Sequence, residues 1–315
     1  MTAEVHRILE RLNLPTAGLE SAPGFANSVW MTTDLVVRIN DGRFRDAFKH
    51  EADVLAHLKT ILPIPNVIAV EAQDSGGEVI VLERLPGTNL EDAWPAISSG
   101  ARVSIVHQLG QLVRTLHSIP LKEWMRNPVF DEAITTGDAR NAYHAPPHEI
   151  DMLTATALNA RPGITELLTR THVFVQSHLE LFANDEDEFR FVHVDLHFRN
   201  VMVEGETITG IIDFEGARPA PVDVELDMLA RWLRQRISSE PANYHRVIPD
   251  LRDAYPALFD VPNLVNRLEV YEILWQLVQI HHWHPGAKWM NDPAANLLHV
   301  LDGSFRTSIA AILAE

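Results

Sequence analysis

Residues 189–216, FRFVHVDLHFRNVMVEGETITGIIDFEG, confine the fold more tightly than any other part of the chain. FRFVHV is apolar and β-branched enough for a short strand, and NVMVEGETITGIID reads as a strand, a turn at Gly205 and a returning strand that ends at Asp213. A dense polar group, two His with an Asp, an Arg and an Asn, occupies the loop that enters this hairpin. Pairing of the two strands would bring Asp195, Asn200 and Asp213, on two loops, to one end of a sheet. Loops held by a rigid scaffold are where functional groups usually sit. An Asp or an Asn alone would read as a turn former, but the three together point to a shared task.

The pattern elsewhere changes character near residue 86. Before it, SVWMTTDLVVRIN reads as two strands around a Thr-Thr-Asp turn, and GEVIVLERLPG as another strand closed by Pro86-Gly87. Between them lies a helix in which Ala47, Glu51, Val54, Leu55 and Leu58 share one face. Glu51 therefore sits on an apolar stripe, where a carboxylate is expensive unless a cation meets it. After residue 87 the chain reads as mostly helical. Ile105, Leu109, Leu112, Leu116 and Ile119 recur at helical spacing, and RLEVYEILWQLVQIHHW repeats the pattern near the end. The expected architecture is α+β and bilobal: a small antiparallel-sheet lobe over 1–86 and a larger, mainly helical lobe over 87–315.

Composition narrows the partners. The chain has 315 residues, no cysteine and a formal charge of −17. Disulfides and sulfur-built metal sites are excluded, and the chain is read as cytoplasmic. Such acidity argues against nucleic acid and anionic membranes, which need clustered Lys and Arg, and no apolar run reaches the length of a membrane span. It would suit a cationic small molecule.

Taken in order, the motifs resemble a known family. His193-Val194-Asp195 followed by Asn200, then Ile212-Asp213-Phe214, looks like the catalytic loop and metal-binding segment of the kinase fold. A protein kinase would need a long activation segment after Asp213. Here PAPVDVELDMLARWLRQR comes soon after it and reads as a helix with Val224, Met228, Leu229 and Trp232 on one face. This short form is similar to the aminoglycoside phosphotransferase and choline kinase-like family, and the likeness extends to about residue 235. GFANSVW resembles its nucleotide-covering turn, with Gly24 and Asn27. VVRI places Arg38 where the fold usually has a phosphate-pairing Lys, and Glu51 matches the helix carboxylate that pairs with that cation. VLERLPG resembles the hinge, whose backbone from Glu83 to Leu85 would bond adenine.

The resemblance implies a kinase-like fold that binds ATP, with GTP the alternative nucleotide, together with Mg²⁺. It assigns Asp195 to orienting an acceptor hydroxyl and taking its proton, Asn200 and Asp213 to the metal as hard oxygen donors, and Arg38 to the phosphates, which a planar guanidinium binds in fork geometry. His197, two positions after Asp195, would approach the γ-phosphate. His193 and Asp227 are expected to be structural, and Val194 stands where relatives commonly have Gly.

The acceptor is the least constrained element. Glu215, Glu225, Glu269 and Glu272, with Trp232, Trp275, Trp283 and Trp289, lie in the region that shapes the acceptor pocket in this fold. Carboxylates there would favour an aminoglycoside or another cationic amino alcohol, whereas an aromatic cage would suit a quaternary amine or a bulky apolar antibiotic such as a macrolide. The acids at 269 and 272 read equally well as the wet face of a helix. A choline or homoserine kinase and a catalytically inactive nucleotide-binding module stay open as alternatives, and the sequence says nothing of oligomeric state.

Overall fold

The computed structural model describes residues 2–22, 27–40, 46–73, 76–138, 142–183, 188–284, 286 and 291–314. In chain order the first elements are α1 (Thr2–Arg11), β1 (Glu20–Ala22), β2 (Ser28–Met31), β3 (Leu35–Ile39), α2 (Ala47–Leu58), β4 (Val67–Ala72), β5 (Glu78–Glu83), β6 (Thr88–Asn89) and α3 (Leu90–Ala93). Next come α4 (Ser99–His117), α5 (Pro128–Thr136), α6 (Ile150–Ala160), α7 (Thr165–Gln176), β7 (Arg190–Val192), β8 (Val201–Glu204), β9 (Thr207–Ile211) and β10 (Arg218–Ala220). Helices complete the chain: α8 (Asp223–Ser239), α9 (Pro241–Tyr244), α10 (Val247–Ala254), α11 (Leu264–His282), α12 (Pro293–Leu301) and α13 (Ser304–Ala314). Among the described residues no single helix is long and apolar enough to cross a membrane.

The chain divides into two compact units, each with its own contacts. The first takes residues 1–96, 127–129 and 198–217; the second takes 97–126, 130–197 and 218–315. An antiparallel sheet of order β1-β2-β3-β5-β4 dominates the first unit. Strand alternation splits its residues between two faces. Leu35, Val37, Ile39, Val79 and Val81 pack with Val5, Ile8 and Leu9 of α1 into one apolar cluster, so the intervening Arg38 and Ile80 point to the opposite face. These two stand opposite each other in the β3–β5 register. The helix α2 packs against β4 and β5 and buries Phe48, Val54, Leu55 and Leu58 together with Glu51.

The same unit contains the β8–β9 hairpin, joined by β6 into a three-stranded sheet. Gly87 closes the turn into β6 with φ +90°, and a Cβ there would stand 2.0 Å from the Val203 carbonyl oxygen, so only glycine fits. In the second unit β7 and β10 form a short antiparallel pair, and the remainder is helical. The expected α+β architecture, an antiparallel-sheet part followed by a mainly helical part, is therefore the observed one.

The strand β4 and the end of β9 depart from the sequence reading, and the short strands β1, β6 and β10 are absent from it. Between the first hairpin and β5 the pattern predicts a single helix, but the chain also forms β4. It is an edge strand whose partial burial lacks clean alternation, and that removes the period-two signal. The hairpin's second strand stops at Ile211, two residues before Asp213, which turns into the left-handed region at φ 72°.

Candidate active site

The first unit builds a buried charge cluster around Arg38. Its Nη1 donates to Glu51 Oε1 at 2.9 Å and Oε2 at 2.7 Å, while Nη2 donates to Asp213 Oδ1 at 2.8 Å and Glu215 Oε2 at 2.7 Å. The Phe48 ring lies 4.9 Å from the guanidinium carbon. Glu51, read from its helical stripe as needing a cation, is fully buried against this one. Its Oε1 also accepts the Phe214 N–H at 3.2 Å, which ties α2 to the segment after β9. His50, on the same helix, donates from Nε2 to the Ala217 carbonyl at 2.8 Å.

Hairpin register places the two proposed metal residues side by side. Val201 pairs with Ile211, and the Ile212 N–H donates to the Asn200 carbonyl at 3.0 Å, so Asn200 and Asp213 flank the same end of β8–β9. Glu215, expected among the acceptor-binding residues, is found instead on Arg38, where its Oε2 also accepts the Asn27 amide at 3.1 Å. Nothing in its local spacing signalled this. Gly24, the other residue of the expected nucleotide turn, lies outside the described residues. At the expected hinge, Glu83 and Arg84 donate their backbone N–H groups to the carbonyls of Asn66 and Asp34, and a Cβ on Gly210 would come within 2.3 Å of Leu85 Cδ1. The hinge side chain thus rests on bare β9 backbone.

Electrostatics follow from one guanidinium serving three carboxylates. Burial opposes the charge on Arg38, but Asp213, Glu51 and Glu215 outweigh it and hold the cation charged. Burial pushes Glu51 up to about 8 against the pull of Arg38, and pushes Glu215 up to about 7 with the help of the Asp213 charge. Donor oxygens of Glu51, Asp213 and Glu215 lie within 4.8 Å of one another. Carboxyl oxygens converging at this distance are hard donors that fit a divalent ion such as Mg²⁺ in donor chemistry.

The second unit holds Asp195 and His197. His193 is buried after β7, Val194 takes φ 76°, and the Asp195 side chain emerges to 42% exposure. His197 Nε2 stands 3.6 Å from Asp195 Oδ1. The Asp195 N–H donates to His193 Nδ1 at 3.3 Å, and the His193 N–H donates to Glu225 Oε2 at 2.7 Å. Glu225 also meets His117 Nε2 at 3.3 Å. Glu225 is thus inside the unit under the loop, not on an open surface.

The remaining acceptor candidates are also internal. Glu269 accepts two hydrogen bonds from Arg306, at 3.2 and 2.6 Å. Glu272 meets Arg231, Arg234 at 3.3 Å and Gln276 at 3.0 Å. Both glutamates are about 2% exposed or less, so the reading of this stripe as a wet face is overturned. The reason is that α11 is buried almost all round, a case in which periodicity carries no facial information. Trp275 is half-buried, with ring centroids of Tyr143 and His144 at 5.3 and 5.5 Å and the Arg231 guanidinium at 5.0 Å. Of the other tryptophans, Trp232 is buried, Trp283 lies 4.4 Å from the Arg161 guanidinium, and Trp289 falls outside the described residues.

An antiparallel sheet followed by a hairpin and a mainly helical part is the kinase-like fold shared with solved aminoglycoside phosphotransferases. Two solved examples give the measure. The GDP complex of wild-type aminoglycoside 2'-phosphotransferase-IIIa has a TM-score of 0.65 at 16% identity, over 97% of this chain and 98% of that one. The phosphotransferase APH(3'')-Id of Streptomyces rimosus, in complex with ADP and streptomycin, has a TM-score of 0.61 at 17% identity, over 90% of this chain and 100% of that one. The model of the phosphotransferase enzyme family matches residues 20–258, and the chain belongs to that family. An aminoglycoside 3'-phosphotransferase of Streptomyces ribosidificus is 27% identical over 182 residues, which is 55% of this chain and 60% of the relative. The matched segment thus spans less than two thirds of that relative's length.

Proposed function

We propose that this protein is an ATP-dependent phosphotransferase that moves the γ-phosphoryl group to a hydroxyl of a small molecule, with an aminoglycoside-like antibiotic or another amino alcohol as acceptor. The observation that carries this reading is the Arg38–Glu51–Asp213 cluster, a buried cation aimed at Asp213 by a helix carboxylate. Family membership and the names of the relatives support the acceptor class. GTP is the alternative nucleotide, residues 1–86 are assigned the nucleotide and 87–315 the acceptor and chemistry, and the site of action is the cytoplasm.

Phosphoryl transfer asks little covalent work of a protein; it needs a hydroxyl held in line and charge balanced on the phosphates. Asp195 accepts a hydrogen bond from the acceptor hydroxyl and takes its proton as that oxygen bonds to the γ-phosphorus and the bond to the bridging oxygen breaks, releasing ADP. Arg38 exchanges part of its carboxylate contacts for phosphate oxygens, while Glu51 keeps the guanidinium in place. Asn27 and the hinge from Glu83 to Leu85 position the nucleotide. His197 stands beside Asp195 as a second polar contact for the transferring group. Asn200 and Asp213 would hold Mg²⁺, which supplies charge neutralisation on the phosphate oxygens.

The test is ADP release from ATP with Mg²⁺ across aminoglycosides, macrolides, choline-like amines and amino-acid alcohols, beside Asp195→Asn. The substitution should lower turnover by roughly 10²–10⁴-fold, the usual worth of a positioned acid–base group, and leave nucleotide affinity nearly unchanged. Equal turnover of the two proteins would remove Asp195 from its role. Tight nucleotide binding with no acceptor in any class would favour an inactive module.

A further inference from the structure

The loop after β7 holds a conformation that its own sequence resists. Val194 is buried at 5% exposure with φ 76°. A β-branched side chain in the left-handed region crowds the backbone, and such residues persist only where the surroundings over-determine them. Hydrogen bonds flank Val194 on either side. The N–H before it, on His193, is held by Glu225 at 2.7 Å, and the N–H after it, on Asp195, is held by His193 Nδ1 at 3.3 Å.

Glu225 is in turn placed by α4 and the end of α10. Its Oε2 lies 3.3 Å from His117 Nε2, and His117 Nδ1 lies 3.2 Å from the Tyr255 hydroxyl. An ionised carboxylate only accepts, so Nε2 carries the proton of that contact. The other oxygen, Oε1, is buried with no hydrogen-bond partner among the described residues. A buried carboxylate half-satisfied in this way is a poor device for stability alone, yet it is well placed to grip one loop amide.

We infer that Glu225, oriented by His117, is a positioning residue for the phosphoryl-transfer step: it clamps the strained His193-Val194-Asp195 turn so that the Asp195 carboxylate is presented at a fixed angle. This rests on the proposed role of Asp195. The strain makes the inference testable, because glycine adopts positive φ without penalty. A loop with Val194→Gly needs less holding and should depend less on Glu225.

Four proteins decide it: Glu225→Ala, the conservative Glu225→Gln, Val194→Gly, and Glu225→Ala with Val194→Gly. Glu225→Ala should lower kcat on the order of tenfold, in keeping with the strain such a residue stores, while nucleotide KM stays within about twofold because Asp195 does not hold nucleotide. Glu225→Gln keeps an acceptor oxygen and should recover most of the loss. Adding Val194→Gly to Glu225→Ala should restore kcat by about threefold or more. A parallel fall in kcat and nucleotide affinity, or a loss of the same size whether or not Val194→Gly is also present, would overturn the inference. The same four proteins compared by urea unfolding need no acceptor. Non-additive effects of the two substitutions support the clamp and additive effects overturn it, even where a native protein without turnover has already sunk the reading of Asp195.

Discussion

Arg38 meets three carboxylates from one buried side chain. It stands on β3 with 8% exposure and faces Glu51, Asp213 and Glu215 at once. A lysine would offer one compact ammonium, whereas the guanidinium fork reaches separate carboxylates from separate nitrogens. Removing it by Arg38→Ala leaves Glu51 buried without a cation and three carboxylates facing each other. Breaking a buried pair from one side costs roughly 3–5 kcal/mol, so urea unfolding should shift to markedly lower concentration. Arg38→Lys should recover much of that, and an Arg38→Ala protein as stable as the native one would show that the cluster is screened from within. At this scale the sequence was informative about need and silent about partners. The helical stripe exposed Glu51 as a buried acid that required a cation; that Glu215 would share the same cation was not visible, because the two are far apart in the chain and meet only through the turn after β9.

Among elements, α4 shows how far periodicity reads. The expected face of Ile105, Leu109, Leu112 and Leu116 is broadly the buried one, but Leu112 is only half-buried while Val106, Gly110 and Val113 join the core. The stripe is wider because α10 packs closely on it. A Cβ at Gly110 would lie 2.7 Å from Ala254 Cβ and 3.2 Å from Leu251 Cδ1. Glycine inside a helix sacrifices about 1 kcal/mol against alanine, and here the close approach of two helices explains its presence. Gly110→Val should therefore destabilise the protein by roughly 1–3 kcal/mol through overpacking, read as a lower thermal midpoint. Unchanged stability would mean that α10 yields without resistance. Strong elements such as α2, β3, β5, the β8–β9 hairpin and α8 were legible because their apolar residues repeat at a clean period. The edge strand β4 was not, since most of its side chains are neither clearly buried nor clearly exposed.

Across the molecule, buried ion pairs set the response to acid. Burial works against the charge on Glu225, yet the His117 contact and the His193 amide hold it below its usual range; burial likewise opposes Asp227, which Arg231 and His144 hold low. His144, buried 3.3 Å from Asp227, has its own titration lowered by burial. The signs agree. For a depressed carboxylate the unfolded chain takes up the proton first, so its contribution is whole above the ordinary carboxylate value near 4 and is lost as pH falls through it. For the depressed imidazole, the unfolded chain protonates near 6.5 while the folded one resists, so loss begins below that value. In a Glu51→Gln, Glu215→Gln protein, where the two opposing raised carboxyls are absent, thermal midpoints measured from pH 7 down to about 4 should fall steadily. A flat profile above pH 5 would show that His144 does not contribute.

The sequence by itself determined the kind of protein: strands before helices, the hairpin that sets Asn200 beside Asp213, and the motifs that carry the family likeness. These are local matters, governed by side-chain period and turn chemistry within a few tens of residues. Tertiary structure alone decided where the acids of the second half would go. Glu225 grips the loop before Asp195, and Glu269 and Glu272 turn inward to Arg306 and to Arg231 with Arg234. Periodicity reports whether a position faces inward on average, but the partner of a buried charge is chosen by packing between distant segments, and no local spacing encodes that choice.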